Sequence, residues 1–353
     1  MSPYSSAALA NVFDTGKYNT ELQTIQSGSY TGNCGSRHNH NIQGLPPPKP
    51  LLIANPLEDG DFPLLLFLHG YLLYNSFYSQ LIQHIASHGF IVIAPQHQKS
   101  ETEFSDFVEY SQQNTLNSIK LNLVCLWQLY SVAGPDISDE IKSAAAITNW
   151  LPEGLSKLLP PNVRPTFSKL ALAGHSRGGK TAFALALRKL NITTNLKFSA
   201  LVGVDPVDGM DKGKQTPPPV LTYVRHSFDF DMAALVIGSG LGEVKKNPLF
   251  PPCAPKGVNH EDFYNECQKP AWYFVAKDYG HFDMLDDDTK GIRGKATNCI
   301  CKNGESRKPM RGFVGGVIVA FLQAYLHGDT SDLLAIRDKR EIAPVELKID
   351  YFV

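Results

Sequence analysis

The feature that most constrains this chain is a series of short, unbroken apolar runs, each closed by turn-forming residues. They lie at 64–68, 90–94, 169–173, 200–204, 234–237 and 272–276. A strand with one wet face alternates apolar and polar residues. A run without alternation predicts a strand covered on both faces, as in a parallel sheet beneath crossover helices. Helical spacing fills the intervals: Phe77, Leu81, Ile82 and Ile85 within 76–87, and Leu116, Ile119, Leu123 and Leu126 within 113–130. Residues 181–190 are rich in Ala and Leu. The longest apolar stretch, 313–326, is shorter than the roughly 20 residues that span a bilayer, so it predicts a buried helix and no transmembrane segment. The strand–helix alternation predicts an α/β fold, a mostly parallel central sheet with helices on both faces.

Loop-rich segments interrupt this pattern near 27–50, 238–268 and 286–309. None separates two blocks with cores of their own, so residues 1–353 read as one domain with insertions. Lys and Arg number 33 against 34 Asp and Glu, which leaves no basic footprint for nucleic acid. The chain opens without a basic segment leading into an apolar one, so no secretory signal is expected. Asp14 and Glu21 also argue against a long transit peptide.

Ligands of such sheets gather beyond the carboxyl ends of the strands, so the residues that close each run matter most. These ends read His69-Gly70-Tyr71, Pro95-Gln96-His97, Gly174-His175-Ser176-Arg177-Gly178-Gly179, Asp205-Pro206-Val207-Asp208 and Gly280-His281-Phe282. Gly174, Ser176 and Gly178 fit G-x-S-x-G, the nucleophile elbow, with a strand before it and a helix after it as the motif requires. The same residues also match a phosphate-binding loop, through Gly174, Gly179, Lys180 and Thr181, with Asp205 standing where a magnesium ligand would. That reading explains neither the late histidine, His281, nor the early His69-Gly70-Tyr71 turn. A serine hydrolase needs both, in the chain order Ser, acid, His. It leaves Lys180 without chemistry.

A serine hydroxyl needs an adjacent base, and histidine titrates near neutrality. Among 11 histidines, His281 is best placed. His38 and His40 sit in a Gly/Asn-rich loop without a supporting ligand cluster, so no metal site is expected. His84, His88 and His327 read as surface or capping residues, and His175 as a packing residue turned away from the nucleophile. For the acid, Asp205 at a strand end is held more rigidly than Glu243 in a Gly/Lys-rich loop, with Asp208 as a third candidate. Tyr71 to Tyr74, Phe104, Phe107, Phe228, Phe230 and Phe282-Asp283-Met284-Leu285 flank the strand ends and suggest an apolar cleft. Cys253 and Cys267 bracket a Pro/Gly/Asn-rich segment and are expected to pair across it.

Three stretches go beyond the generic elbow: Gly174-His175-Ser176-Arg177-Gly178-Gly179-Lys180-Thr181-Ala182-Phe183, Val204-Asp205-Pro206-Val207-Asp208-Gly209 and Gly280-His281-Phe282-Asp283-Met284-Leu285. With Pro47-Pro48-Lys49-Pro50, Phe67-Leu68-His69-Gly70 and Asn259-His260-Glu261-Asp262-Phe263-Tyr264, they resemble plant chlorophyllases over nearly the whole chain. The resemblance implies an α/β-hydrolase fold, cleavage of the phytyl ester of chlorophyll, and a triad at Ser176, Asp205 and His281. It implies no cofactor, a setting in the chloroplast, or else at another plant endomembrane or in the cytosol, and peripheral contact with pigment-bearing membranes. The backbone N–H groups of Tyr71 and Arg177 are then expected to form the oxyanion hole. A general carboxylesterase, lipase or polyester hydrolase of this fold, or a non-catalytic pigment or lipid carrier, are the competing readings.

Overall fold

The computed structural model describes residues 12–28, 45–97, 136–248 and 251–352. Nine strands, β1 (Thr20–Ile25), β2 (Leu51–Pro56), β3 (Gly60–Leu68), β4 (Ile91–Pro95), β5 (Val163–His175), β6 (Ala200–Val204), β7 (Ala233–Ser239), β8 (Ala271–Ala276) and β9 (Leu347–Phe352), join one sheet in the order β1-β2-β4-β3-β5-β6-β7-β8-β9. From β4 to β8 every pairing is parallel, while β1, β2 and β9 add antiparallel edges. All six expected runs are strands of this sheet.

The apolar runs are continuous because each strand serves two cores. Leu65, Phe67, Ala171, Ala173, Val202 and Leu235 face one side, beneath α1 (Ser79–Ser87) and the long helix Arg307–Leu322. Leu64, Leu66, Leu170, Leu172, Leu201 and Val236 face the other, beneath α2 (Ser138–Gly154) and α3 (Arg177–Ala186). The period of two along each strand divides its side chains between these layers. The outermost strands lacked this signal. β1 reads Thr-Glu-Leu-Gln-Thr-Ile and is half exposed, so its pattern is weak.

The 238–268 insertion contains α4 (His260–Glu266), and 286–309 contains α5 (Gly291–Ala296) ahead of α6 (Arg307–Leu322). The acidic stretch in the latter is pinned at Asp286 and Asp287, although Asp287 and Asp288 stay exposed. Buried Arg307 donates to the Asp286 carbonyl at 2.8 Å and the Thr297 hydroxyl at 2.6 Å, and Arg311 pairs with Asp287 at 2.6 Å. Helix α6 and its continuation Gln323–His327 together have the length and apolarity of a membrane span, the one such case among the described residues, but 78% of the apolar window is buried in the core. The expected helix at 113–130 lies outside the described residues.

Candidate active site

Chain reversal from β5 into α3 places Ser176 at φ 56°, ψ −122°, a strained conformation for a residue with a side chain, costing on the order of 1–3 kcal/mol. The flanking glycines are required by contact. A Cβ at Gly174 would lie 2.2 Å from the Gly178 carbonyl oxygen, and one at Gly178 would lie 2.2 Å from that of Leu68. The elbow motif is therefore a packing statement about β3, β5 and α3, and it leaves the Ser176 hydroxyl at the cleft.

His281 follows β8 and turns Nε2 to the Ser176 hydroxyl at 2.8 Å; its Nδ1 lies 2.7 Å from Asp205 Oδ2. Asp205 closes β6 and is fully buried. Burial alone would raise its pKa. The hydrogen bond and charge of His281, the nearby His260 ring and the Ser239 hydroxyl outweigh burial and hold it down at about 2, so the carboxylate is ionised near neutrality. Ser239, closing β7, donates both its hydroxyl and its backbone N–H to Asp205, the latter at 3.2 Å. His260, the first residue of α4, faces Oδ1 from 3.8 Å. Neither Ser239 nor His260 was singled out in the sequence. Ser239 had a signal, since it ends an apolar run; His260 had none beyond the motif around it.

Asp208 and Glu243, the competing acids, are engaged elsewhere. Asp208 forms a buried ion pair with Lys180 at 2.8 Å and accepts the Val220 and Leu221 backbone N–H groups. Glu243 accepts from Asn259, the N-cap of α4, at 2.8 Å. Lys180, which had chemistry only in the phosphate-loop reading, is a buried structural cation that also donates to the Thr216 carbonyl.

Tyr71 and Arg177, from which the oxyanion donors were expected, line the cleft beside Ser176 and His281. The Arg177 guanidinium lies over the Tyr71 ring at 4.8 Å, and its Nε donates to Glu140 at 2.8 Å. The two segments carrying those N–H groups are thus held against each other. His69 buttresses the turn by donating from Nδ1 to the Gly70 carbonyl at 2.8 Å, while its Nε2 accepts the His97 backbone N–H at 3.0 Å.

His175 is more than a packing residue. Its Nε2 meets the backbone carbonyl of His281 at 2.9 Å and its Nδ1 meets the Tyr78 hydroxyl at 2.6 Å. His84 and His88 contact the carbonyls of Val12 and Asp14 and hold the N-terminal segment against α1. His38 and His40 lie outside the described residues.

Leu72, Leu73, Val207, Phe282 and Ile300 supply apolar wall to the cleft. Phe228 and Phe230 do not: Phe228 packs with Phe183 in the core and the half-buried Phe230 packs against its edge, while Met284 and Leu285 are buried in the opposite core layer. Phe104 and Phe107 lie outside the described residues. The expected Cys253–Cys267 bridge is wrong. Cys253 pairs with Cys301, 48 residues away, with Cα atoms 5.7 Å apart. Cys267 follows α4, which carries it into the core, where its thiol donates to the Phe263 carbonyl and burial pushes its pKa up. Cys253 stays at the cleft rim, where it meets the segment after α5. Sequence proximity favoured the wrong partner because a helix intervenes.

A mostly parallel sheet with its nucleophile elbow after β5 and a histidine after β8 defines an α/β-hydrolase. A family model described as chlorophyllase matches residues 8–120 and 109–352. The chain is 56% identical to Chlorophyllase-2 of Arabidopsis thaliana over 98% of each chain, and 41% identical to Chlorophyllase-1 of the same plant over 85% of this chain and 83% of the relative. It is 39% identical to "Chlorophyllase-1, chloroplastic" of Citrus unshiu over 98% of this chain and 90% of the relative. The chain belongs to the chlorophyllase family.

Proposed function

We propose that this protein hydrolyses the phytyl ester of chlorophyll to chlorophyllide and phytol through an acyl-enzyme on Ser176. The observation that carries this reading is the continuous contact from Ser176 to His281 to Asp205 in a chain of this family. His281 Nε2 accepts the Ser176 proton as the hydroxyl oxygen attacks the ester carbonyl. Its Nδ1–H donates to Asp205, whose charge steadies the imidazolium that forms. The backbone N–H groups of Tyr71 and Arg177 receive the negative oxygen of the tetrahedral intermediate; one such donor is typically worth about 3 kcal/mol. The intermediate collapses, and His281 returns the proton to the departing phytol oxygen. Water, deprotonated by His281, then attacks the acyl-serine and frees chlorophyllide. Every proton moves among serine, histidine, alcohol and water, so the reaction calls for no cofactor.

The apolar cleft wall supports a large apolar ester as substrate. Burial of an isoprenoid tail contributes about 25 cal/mol per Å² removed from water. Binding remote from the ester also aligns the carbonyl with Ser176, so a truncated alcohol should lose turnover as well as affinity. We read the chain as one α/β-hydrolase domain working in the chloroplast, a setting suggested by the name of the Citrus relative, in peripheral contact with pigment-bearing membranes.

The test is kcat/KM for chlorophyll against a short p-nitrophenyl ester, with chromatography for chlorophyllide. Higher efficiency on chlorophyll is expected. Equal or better efficiency on the short ester without chlorophyllide would leave a general carboxylesterase. Chlorophyll binding without turnover of any ester would leave a carrier.

A further inference from the structure

We propose that His175 and Tyr78 are positioning residues that tie the general base to the oxyanion loop through one buried chain of hydrogen bonds. The proposal rests on the reading of Ser176 and His281 given above.

His175 Nε2 faces a carbonyl oxygen, that of His281, at 2.9 Å, and an oxygen of this kind only accepts. Nε2 therefore carries the proton, and Nδ1 is bare. The bare nitrogen accepts the Tyr78 O–H at 2.6 Å. The Tyr78 oxygen in turn accepts the Gly70 backbone N–H at 3.1 Å. The three bonds run in one direction, from Gly70 through Tyr78 and His175 to the backbone of His281. All three groups along the way are buried, so each bond is strong and each lost partner is costly.

The two ends of the chain are what give it a role. Gly70 immediately precedes Tyr71, and a Cβ at Gly70 would lie 3.1 Å from His175 Nδ1 and 3.3 Å from Ser176 Cβ. This turn is pressed directly against the ring and the nucleophile. At the other end, the carbonyl bound by His175 belongs to the base itself, and the two imidazole rings lie 4.7 Å apart. Burial, then the neighbouring His281, hold the His175 pKa well below its ordinary value, against the pull of Asp205. His175 thus stays neutral and keeps the same donor and acceptor while His281 gains and loses its proton. A side chain that merely filled space would need neither nitrogen.

The experiment compares His175→Leu, His175→Gln and Tyr78→Phe with the parent, measuring kcat and KM on chlorophyll and the labelling rate of Ser176 by a fluorophosphonate. Misplacement of about 1 Å can cost about 100-fold, and that is the loss expected in kcat for His175→Leu, with KM unchanged. Glutamine offers an NH2 donor and a C=O acceptor, so His175→Gln should recover most of the loss. Tyr78→Phe should lower kcat and slow labelling, and in the His175→Leu background it should add less than it does alone, because the chain is already broken. Tyr78→Phe removes one oxygen and carries the test if His175→Leu does not fold. Parental kcat and labelling in Tyr78→Phe, or a rise in KM with kcat untouched, would overturn the proposal while Ser176→Ala remains inactive. Turnover surviving in Ser176→Ala would instead refute the underlying triad.

Discussion

Asp205 and Asp208 stand three residues apart in the turn after β6, and both are fully buried. One meets His281, Ser239 and His260; the other meets Lys180 and two backbone N–H groups. A buried carboxylate needs a counter-charge and donors, and each aspartate has them. What separates them is whether the partner touches Ser176. His281 touches Ser176 and, in the proposed mechanism, shuttles its proton. Lys180 cannot relay a proton to that serine, because its ammonium is locked on Asp208 and the Thr216 carbonyl. One site supports chemistry, and the other holds the turn and α3 together.

Amide substitution should separate the two aspartates most clearly. Asp205→Asn should keep the fold and lower kcat by about 10⁴, because the amide favours the wrong tautomer of His281. Steady-state turnover beside a thermal melt checks this. Asp208→Asn should show the opposite balance. It leaves the buried Lys180 ammonium without its counter-charge, at a cost of about 3 kcal/mol in stability, while folded molecules keep most of their turnover. Urea unfolding measures the first and active-site-titrated turnover the second. A stable, inactive Asp208→Asn protein would reverse the two roles.

Acid pH sharpens the same contrast with a smaller effect. Asp205 is depressed from an unfolded value of about 3.9 to about 2 in the folded protein. A depressed carboxylate contributes stability that is complete above its unfolded pKa and is lost as pH falls through its folded pKa. Between about pH 4 and pH 2 the parent should therefore lose on the order of 2 kcal/mol that Asp205→Asn never had. Acid unfolding followed by circular dichroism should show two curves converging as pH falls. Curves parallel through this range would remove the charge coupling at Asp205.

These aspartates also mark the limit of what was legible beforehand. Ser176 was legible because the elbow is local: its glycines answer to backbone contacts around one turn. Asp205 and His281 were legible as residues closing apolar runs, given the rule that such sheets bind at strand ends. Tyr78 and His260 were not, because they reach the site from helical segments whose placement depends on tertiary packing. The role of Lys180 was hidden for the same reason. Its partner lies in the turn after the next strand, so nothing within the motif shows the pair. Cys301 illustrates the failure in its plainest form: the bridge joins two segments that meet only once the sheet and its insertions are folded. Edge strand β1 escaped because a strand covered on fewer sides carries a weaker apolar pattern.

Ser176 is the proposed nucleophile, whose hydroxyl oxygen attacks the chlorophyll ester. The most direct measurement is the rate of chlorophyllide formation by purified Ser176→Ala, shown by its melting curve to be folded, beside the parent under saturating chlorophyll. A loss of about 10⁶ in kcat is expected, the scale seen when the nucleophile of a serine triad is removed. Chlorophyllide formed at the parental rate by the folded variant would contradict it.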